Sequence, residues 1–477
     1  MNYGIVLNVL GGLLRFLGII MTIPLLVAVY YNESLLPFIL AIAITGITGF
    51  LLSYRHTSDG DWKKREGFAI VAFGWLAAAL FGSIPFMLDG ITPINALFES
   101  MSGFTTTGAT VLVDIESHSK SILFWRSMTQ WIGGMGIIML FIAILPKLGV
   151  AGRQLFRAEA PGPTEDKIRP RIRETAKILW MVYVIISAIE VVALMLAGMN
   201  GYDAISHTFT TMACGGFSPY ANSVAEFQSP LIEGIITLFM FIAGANFALH
   251  YKTLYSNHKS LIKDDEFKFY SLVVIIATLL LTFSLWKDMG EGVLTSFRYA
   301  AFQVVSIVTT TGYATVDFNL WTDSAKVVLL SVMFIGGCAG STAGGIKVVR
   351  FLLLLKYAQR ALFKSIHPRA VKTLKFNDKS VPEDVLQAII SFVVIYFMIF
   401  AISTGLLALM GMDLVSSFTA SIATLGNIGP GFNLVGPMAS FDVVPVLGKL
   451  LLIGNMWIGR LEVFTVIVMF TPEFWKR

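Results

Sequence analysis

A chain of 477 residues that is 56% apolar and 14% charged, with a mean hydropathy of +0.74, has too few charges to coat a soluble core; globular chains run about 45–50% apolar and about 25% charged. The same figures exclude disordered, fibrous and nucleic-acid-binding proteins, and the net charge of +5 matters only through where the basic residues sit. The composition is that of an integral membrane protein in a lipid bilayer.

Crossing the hydrocarbon core takes about 20 apolar residues in a helix. In chain order the stretches that qualify are 4–30, 34–53, 67–88, 122–146, 178–199, 231–250, 271–286, 325–355, 385–410 and 442–470. The first opens without a basic flank and lacks a small-residue cleavage site, so it is expected to be a retained span rather than a signal peptide. The alternation of barrel strands is absent, and open sheet edges are not tolerated in lipid. The fold class is therefore all-α, with about ten transmembrane helices.

Lysine and arginine crowd alternate connections. One set carries Arg55, Lys63, Lys64 and Arg65, then Lys147, Arg153, Arg157, Lys167, Arg169, Arg171, Arg173 and Lys177. It continues with Lys252, Lys259, Lys263 and Lys268, and with Lys356, Arg360, Lys364, Arg369, Lys372, Lys375 and Lys379. The other set carries Asp89, Glu99, Asp114, Glu116, Asp203, Glu226, Asp317 and Asp323. The positive-inside rule puts the first set, both termini and the tail Lys476-Arg477 in the cytoplasm. The basic loops serve topology, or a docking surface for an acidic cytosolic partner; the sequence does not separate the two.

Each of four outer connections holds an apolar stretch too short to span, ending at a glycine turn. They are Ala96 to Thr110 around Thr106-Thr107-Gly108, Ala204 to Ser218 around Cys214-Gly215, Ala300 to Thr315 around Thr310-Thr311-Gly312, and Ser417 to Gly431 around Asn427-Ile428-Gly429. The unit is span, half-entering helix, turn, span, repeated four times. The expected domains are an N-terminal hairpin at 1–60 and pore repeats at 61–150, 170–255, 265–358 and 383–477. One Thr-Thr-Thr-Gly would be read as a polar turn. Four related turns at matched positions point instead to loops converging on one axis, where backbone carbonyls replace the hydration shell of a hard monovalent cation. Thr107 and Thr311 add hydroxyl ligands or brace the turns, and the short helices aim their negative C-terminal ends at the axis.

These motifs resemble the membrane subunit of Trk-type potassium uptake systems, in the superfamily that also holds Ktr and plant HKT transporters. The resemblance covers essentially the whole chain. It is carried by Thr105 to Thr110, by Trp125 to Gly136, by Gly336 to Gly345 and by Gly459 to Phe464. It implies four non-identical pore repeats, a filter for potassium ions at the residues named above, a homodimer with one pore per protomer, and a cytosolic nucleotide-binding regulatory subunit. No organic cofactor is expected. The second loop, with Ala213-Cys214 before Gly215, and the fourth, with Asn427-Ile428 before Gly429, depart from a full set of hydroxyls.

The stretch 325–355 contains Gly336, Gly337, Gly340, Gly344 and Gly345, with Ser341 and Thr342 between them. At roughly 1 kcal/mol per interior glycine the helix should break there, although Gly336, Gly340 and Gly344 also fit a close-packed helix seam. The resemblance implies an intramembrane gating loop. Arg460 lies in the last apolar span, which demands a polar cavity or partner; it is assigned to the same gate. Arg15, Arg126, Glu190 and Arg298 are read as packing or vestibule charges.

The expected function is channel-like potassium uptake across a bacterial inner membrane, regulated by a cytosolic partner. The alternative is a secondary transporter coupling potassium to protons or sodium, for which Glu190 is the candidate relay. No nucleophile–base pair marks an enzyme and no Walker sequence marks an ATP-driven pump. Cys214 and Cys338 stand too far apart in sequence to suggest a disulfide framework or metal site.

Overall fold

The structure, a computed structural model, describes residues 1–54, 64–144, 168–290 and 292–475. The domain limits at 60, 61 and 150, together with Arg55, Lys63, Lys147, Arg153, Arg157, Lys167 and the tail Lys476-Arg477, lie outside the described residues. The chain is helical almost throughout. An N-terminal hairpin of α1 (Tyr3–Ile20), α2 (Thr22–Tyr30) and α3 (Leu36–Tyr54) leads into α4 (Lys64–Gly82) and the short α5 (Ile84–Leu88). Among the described residues the sheet is one short hairpin, Lys375–Phe376 against Lys379–Ser380.

Four short helices each follow a span: α6 (Pro93–Phe104), α9 (Gly201–Met212), α13 (Val293–Val308) and α17 (Leu414–Leu425). Their starts are written in the sequence. Pro93 sits in the first turn of α6, while Asn200 and Asp413 cap α9 and α17 by accepting from the amides of Asp203 (2.9 Å) and Ser416 (3.0 Å). Around them stand α7 (Lys120–Ile144), α8 (Ile168–Leu196), α10 (Pro230–Ala243) with α11 (Phe247–Tyr255), and α12 (Asp265–Met289). The set closes with α14 (Asp323–Met333), α15 (Val348–Ile366), α16 (Glu383–Leu409), α18 (Val446–Arg460) and α19 (Val463–Ile467).

Among the described residues, six helices are long and apolar enough to cross a membrane, eight if each of two bent pairs counts as one span. The sequence suggested ten. Two of the stretches read as single spans are bent: 231–250 turns by 97° between α10 and α11, and 442–470 by 115° after Arg460. Hydropathy measures apolar length and carries no direction, so a break made of Gly244-Ala245-Asn246 or Leu461-Glu462 leaves no trace in it. The stretch 325–355 contains no continuous helix, and α7 is 25 residues long and runs up to the undescribed segment.

The hairpin packs by backbone contact. A Cβ on Gly11 would lie 2.7 Å from the Gly49 carbonyl, and one on Gly49 would lie 2.8 Å from the Gly11 carbonyl. Replacing Gly49 with leucine should therefore force α1 and α3 apart and lower stability by about 1–3 kcal/mol, read as an earlier thermal transition in detergent; Gly46→Leu, where nothing lies within 4 Å, should leave the transition in place.

Candidate ion pathway and its closing loop

The turns after the four short helices are the same turn. The amides of Thr107, Gly215, Thr311 and Ile428 each donate at 2.8 Å to the carbonyl five residues back, on Ser102, Thr210, Ser306 and Ala423. Left-handed backbone recurs at Thr106, Cys214, Thr310 and Asn427 (φ 51°, 54°, 57° and 53°) and again two residues on, at Gly108, Gly216, Gly312 and Gly429 (81°, 74°, 80° and 105°). This corrects the register in the second loop. The counterpart of Gly108 is Gly216, and Gly215 stands where Thr107, Thr311 and Ile428 stand. Two adjacent glycines hide the register; counting four residues past the end of each helix, at Phe104, Met212, Val308 and Leu425, recovers it.

The turns meet in a closed ring. A Cβ on Gly108 would strike the carbonyl oxygen of Gly215, one on Gly216 that of Thr311, one on Gly312 that of Ile428, and one on Gly429 would lie 2.9 Å from that of Thr107. Every sequence-assigned loop residue is thus brought to one place. Among the described residues, the carbonyls of Thr107, Thr311 and Ile428 accept no hydrogen bond from the protein. Gly215 O accepts from Gln130 Nε2 at 2.7 Å, while Gln130 Oε1 takes the Phe217 amide at 3.1 Å. Sequence reasoning quoted Gln130 only as part of a motif and missed this clamp. The hydroxyls of Thr107 and Thr311 brace the turns: each lies 2.8 Å from a hydroxyl two residues back, and Thr107 Oγ1 also accepts from Asn427 Nδ2 at 2.9 Å.

Above the ring is a small vestibule of about 50 Å³, lined by Gly108, Gly216, Gly312 and Gly429 and by Arg126. Arg126 is ion-paired with the fully buried Glu99, donates to Ser218 O at 2.8 Å and lies 3.6 Å from the centre of the Phe217 ring. Glu99 in turn accepts from the Val111 amide at 3.1 Å, so one pair ties the segments leaving the first and second turns. Beside Phe441, which lines the vestibule, the Lys449 ammonium, hydrogen-bonded at 2.8 Å, holds the Asp442 carboxyl below its ordinary range. Arg298 pairs with Glu233 at 3.2 Å.

Below the ring lies the glycine-rich segment between α14 and α15. It is an excursion closed at its neck by Gly336 N to Ile346 O (2.8 Å) and Val348 N to Gly337 O (3.1 Å), so Gly336, Gly340 and Gly344 do not form a helix seam. Thr342 Oγ1 donates to Met212 O at 2.8 Å and lies 3.2 Å from Cys214 Sγ; Gly344 N donates to Thr310 Oγ1 at 2.6 Å; a Cβ on Gly344 would lie 2.5 Å from Gly426 O. The excursion therefore touches the second, third and fourth turns from beneath. Gly340 O receives the Phe247 amide and Ser341 N donates to Cys338 O, which fixes its tip against α11. Gly337 packs at 2.7 Å from Gly244 O, measured at its would-be Cβ, and Gly345 lies against Gly336.

Arg460 is 2% exposed and donates from Nη1 to Thr342 O at 2.9 Å. It sits at the last residue of α18, before the bend, rather than within a straight span. Glu462, at φ 58°, takes the bend and pairs with Arg350 at 2.8 Å instead of with Arg460. Chemically, the ensemble offers a desolvated cation backbone oxygens on one axis, four negative helix ends behind them, and a fixed guanidinium below.

The comparisons agree. The TrkH model, described as a cation transport protein, matches residues 35–477. The chain is 42% identical to the Trk system potassium uptake protein TrkH of Salmonella typhimurium, over 100% of both chains, and 35% identical to TrkG of Escherichia coli, over 99% of this chain and 98% of that one. The crystal structure of the potassium transporter TrkH from Vibrio parahaemolyticus superposes with a TM-score of 0.92 at 38% identity, covering both chains completely. The chain belongs to the TrkH family of multi-pass cation transport proteins.

Replacing Gln130 with alanine strands the buried Phe217 amide and should lower stability by about 1–3 kcal/mol. Glutamate at 130 retains an acceptor for that amide and should recover part of the loss in the same denaturation measurement.

Proposed function

We propose that this chain takes up potassium across a bacterial inner membrane, in channel-like fashion, through the ring of four turns. The observation that carries the reading is the closed cycle of carbonyl contacts, with three of its oxygens accepting no hydrogen bond among the described residues. A buried carbonyl without a partner is rare, and three around one axis suit a cation shedding its water. The relatives named above are potassium uptake proteins, which supports potassium as the cargo. The ion-binding residues are Thr106, Thr107, Gly108, Cys214, Gly215, Thr310, Thr311, Gly312, Asn427, Ile428 and Gly429, with Gly216 added.

The excursion Gly336–Gly345, with Arg460 on its Thr342 carbonyl, is the gate. Its residues Gly336, Gly337, Gly340, Ser341, Thr342, Gly344 and Gly345 lie against the second, third and fourth turns from beneath, and the guanidinium repels an approaching cation. Both termini are cytoplasmic by the distribution of lysine and arginine. The functional assembly is a homodimer with one pathway per protomer, regulated by a cytosolic nucleotide-binding subunit that docks on the basic connections; nucleic acid is no partner.

In liposomes, Gly216→Ser and Gly108→Ser should each reduce the preference for potassium over sodium by about tenfold, equivalent to about 1.4 kcal/mol, since each Cβ is driven into the next carbonyl. Unchanged selectivity in both would remove the ring from the pathway. Currents through wild type should reverse at the potassium equilibrium potential, and Glu190→Gln should not move that reversal; a shift with proton or sodium gradients would favour coupled transport.

Arg460→Ala should raise basal potassium flux per correctly folded protein several-fold. Shortening the excursion at Ser341-Thr342 should do the same. A fall in both would make these residues structural anchors.

A further inference from the structure

A second cavity, about 810 Å³, opens between α2, the start of α7 and the start of α9, and meets the vestibule above the ring only at Tyr220. Its floor is apolar, made by Ile23 and Leu26 of α2 with Leu123 and Phe124 of α7. Leu26 is 66% exposed, so this floor is continuous with the lipid-facing side of the hairpin. Its rim is polar and aromatic, with Lys120 and Asp203 among tyrosines. An apolar body ending in a polar, tyrosine-rich edge is the signature of the membrane–water boundary.

Two charged groups on that rim are incompletely partnered among the described residues: the ammonium of the exposed Lys120 and one oxygen of the buried Asp203. The Lys120 ammonium lies over the rings of Tyr31 at 4.3 Å and Tyr202 at 5.7 Å, and among the described residues it pairs with no carboxylate. The nearby Glu33 is already used, one oxygen by the Lys120 amide at 2.8 Å and the other by the Ser121 amide at 2.9 Å. Asp203 is 2% exposed; its Oδ2 accepts from Asn200 at 2.7 Å and from the Tyr220 hydroxyl at 2.9 Å, while its Oδ1 is buried with no hydrogen-bond partner. A buried carboxylate oxygen without a donor is strongly disfavoured, and only an N–H or O–H relieves it.

We propose that this cavity binds one phospholipid with a primary-amine headgroup, its phosphate on Lys120, its ammonium on Asp203 and an acyl chain along Ile23 and Leu26. Phosphate and ammonium in one headgroup answer both unpartnered groups together. A choline headgroup brings the charge but no N–H for Asp203, and a glycerol headgroup brings no cation. The assignment to the outer leaflet rests on the orientation proposed above; the site itself does not. Tyr202 and Asp203 form the first turn of α9, and the Tyr202 hydroxyl donates to Lys120 O at 2.8 Å. The lipid therefore buttresses the helix that ends at the second turn of the ring.

The test is native mass spectrometry of the full chain after exchange into detergent, with phosphatidylethanolamine, phosphatidylcholine or phosphatidylglycerol added back, and with inorganic phosphate as a competitor. Wild type should retain one phosphatidylethanolamine about tenfold more readily than either other lipid. Lys120→Met and Leu26→Trp, which alter different parts of the cavity and lie on its surface, should each lose that retention while eluting as folded protein. Asp203→Asn should erase the preference for ethanolamine over choline. Equal retention of the three lipids, retention unchanged in both Lys120→Met and Leu26→Trp, displacement by phosphate alone, or a crosslink joining two copies through Leu26→Cys would each overturn the proposal.

Discussion

A carbonyl oxygen held at membrane depth with no donor is expensive unless the rest of the protein keeps its backbone from turning away. Here that constraint falls on Thr107, Thr311 and Ile428, and the surroundings meet it in the same way each time. Each turn begins as its helix ends, is fixed by a 2.8 Å bond to the carbonyl five residues back, and places a non-glycine residue in left-handed backbone. Such conformations cost about 1–3 kcal/mol each and persist where surrounding packing over-determines them. The buried short helices and their flanking spans supply that packing. Irregular backbone survives in a bilayer only when enclosed by protein or lining water.

Equal backbones do not make equal neighbours. The residue two before each ring glycine sends its side chain to a different task. Cys214 meets Thr342, Thr310 receives the Gly344 amide, Asn427 reaches Thr107 and the Met456 carbonyl, and Thr106 Oγ1 has no partner among the described residues. Divergence of sequence among the four loops thus builds an asymmetric underside beneath a near-symmetric ring. A tetramer of identical repeats could not seat a single excursion from one of its members.

Much of this was legible in the residues. Apolar length located the spans, and the recurring short stretch ending in glycine located the four turns, because both patterns are one-dimensional. The register of the second turn was not legible, since Gly215 and Gly216 both tolerate the required backbone and only the end of α9 at Met212 decides between them. The 97° and 115° bends were hidden because hydropathy is blind to direction. That Arg460 needs a polar partner is legible from its place in an apolar stretch, whereas the pairing of Glu462 with Arg350 joins residues 112 apart in sequence and depends wholly on the tertiary fold.

Thr310 belongs to two structures at once. Its backbone forms part of the ring while its hydroxyl holds the Gly344 amide of the excursion below. Any occupant that favours one setting of the third turn must then bias the position of the excursion, and displacement of the excursion must alter the occupant's affinity by the same factor, because coupling free energies are reciprocal. With the ring as the proposed pathway and the excursion as its proposed gate, the two form one thermodynamic system, in which the transported species is also an effector of its own passage.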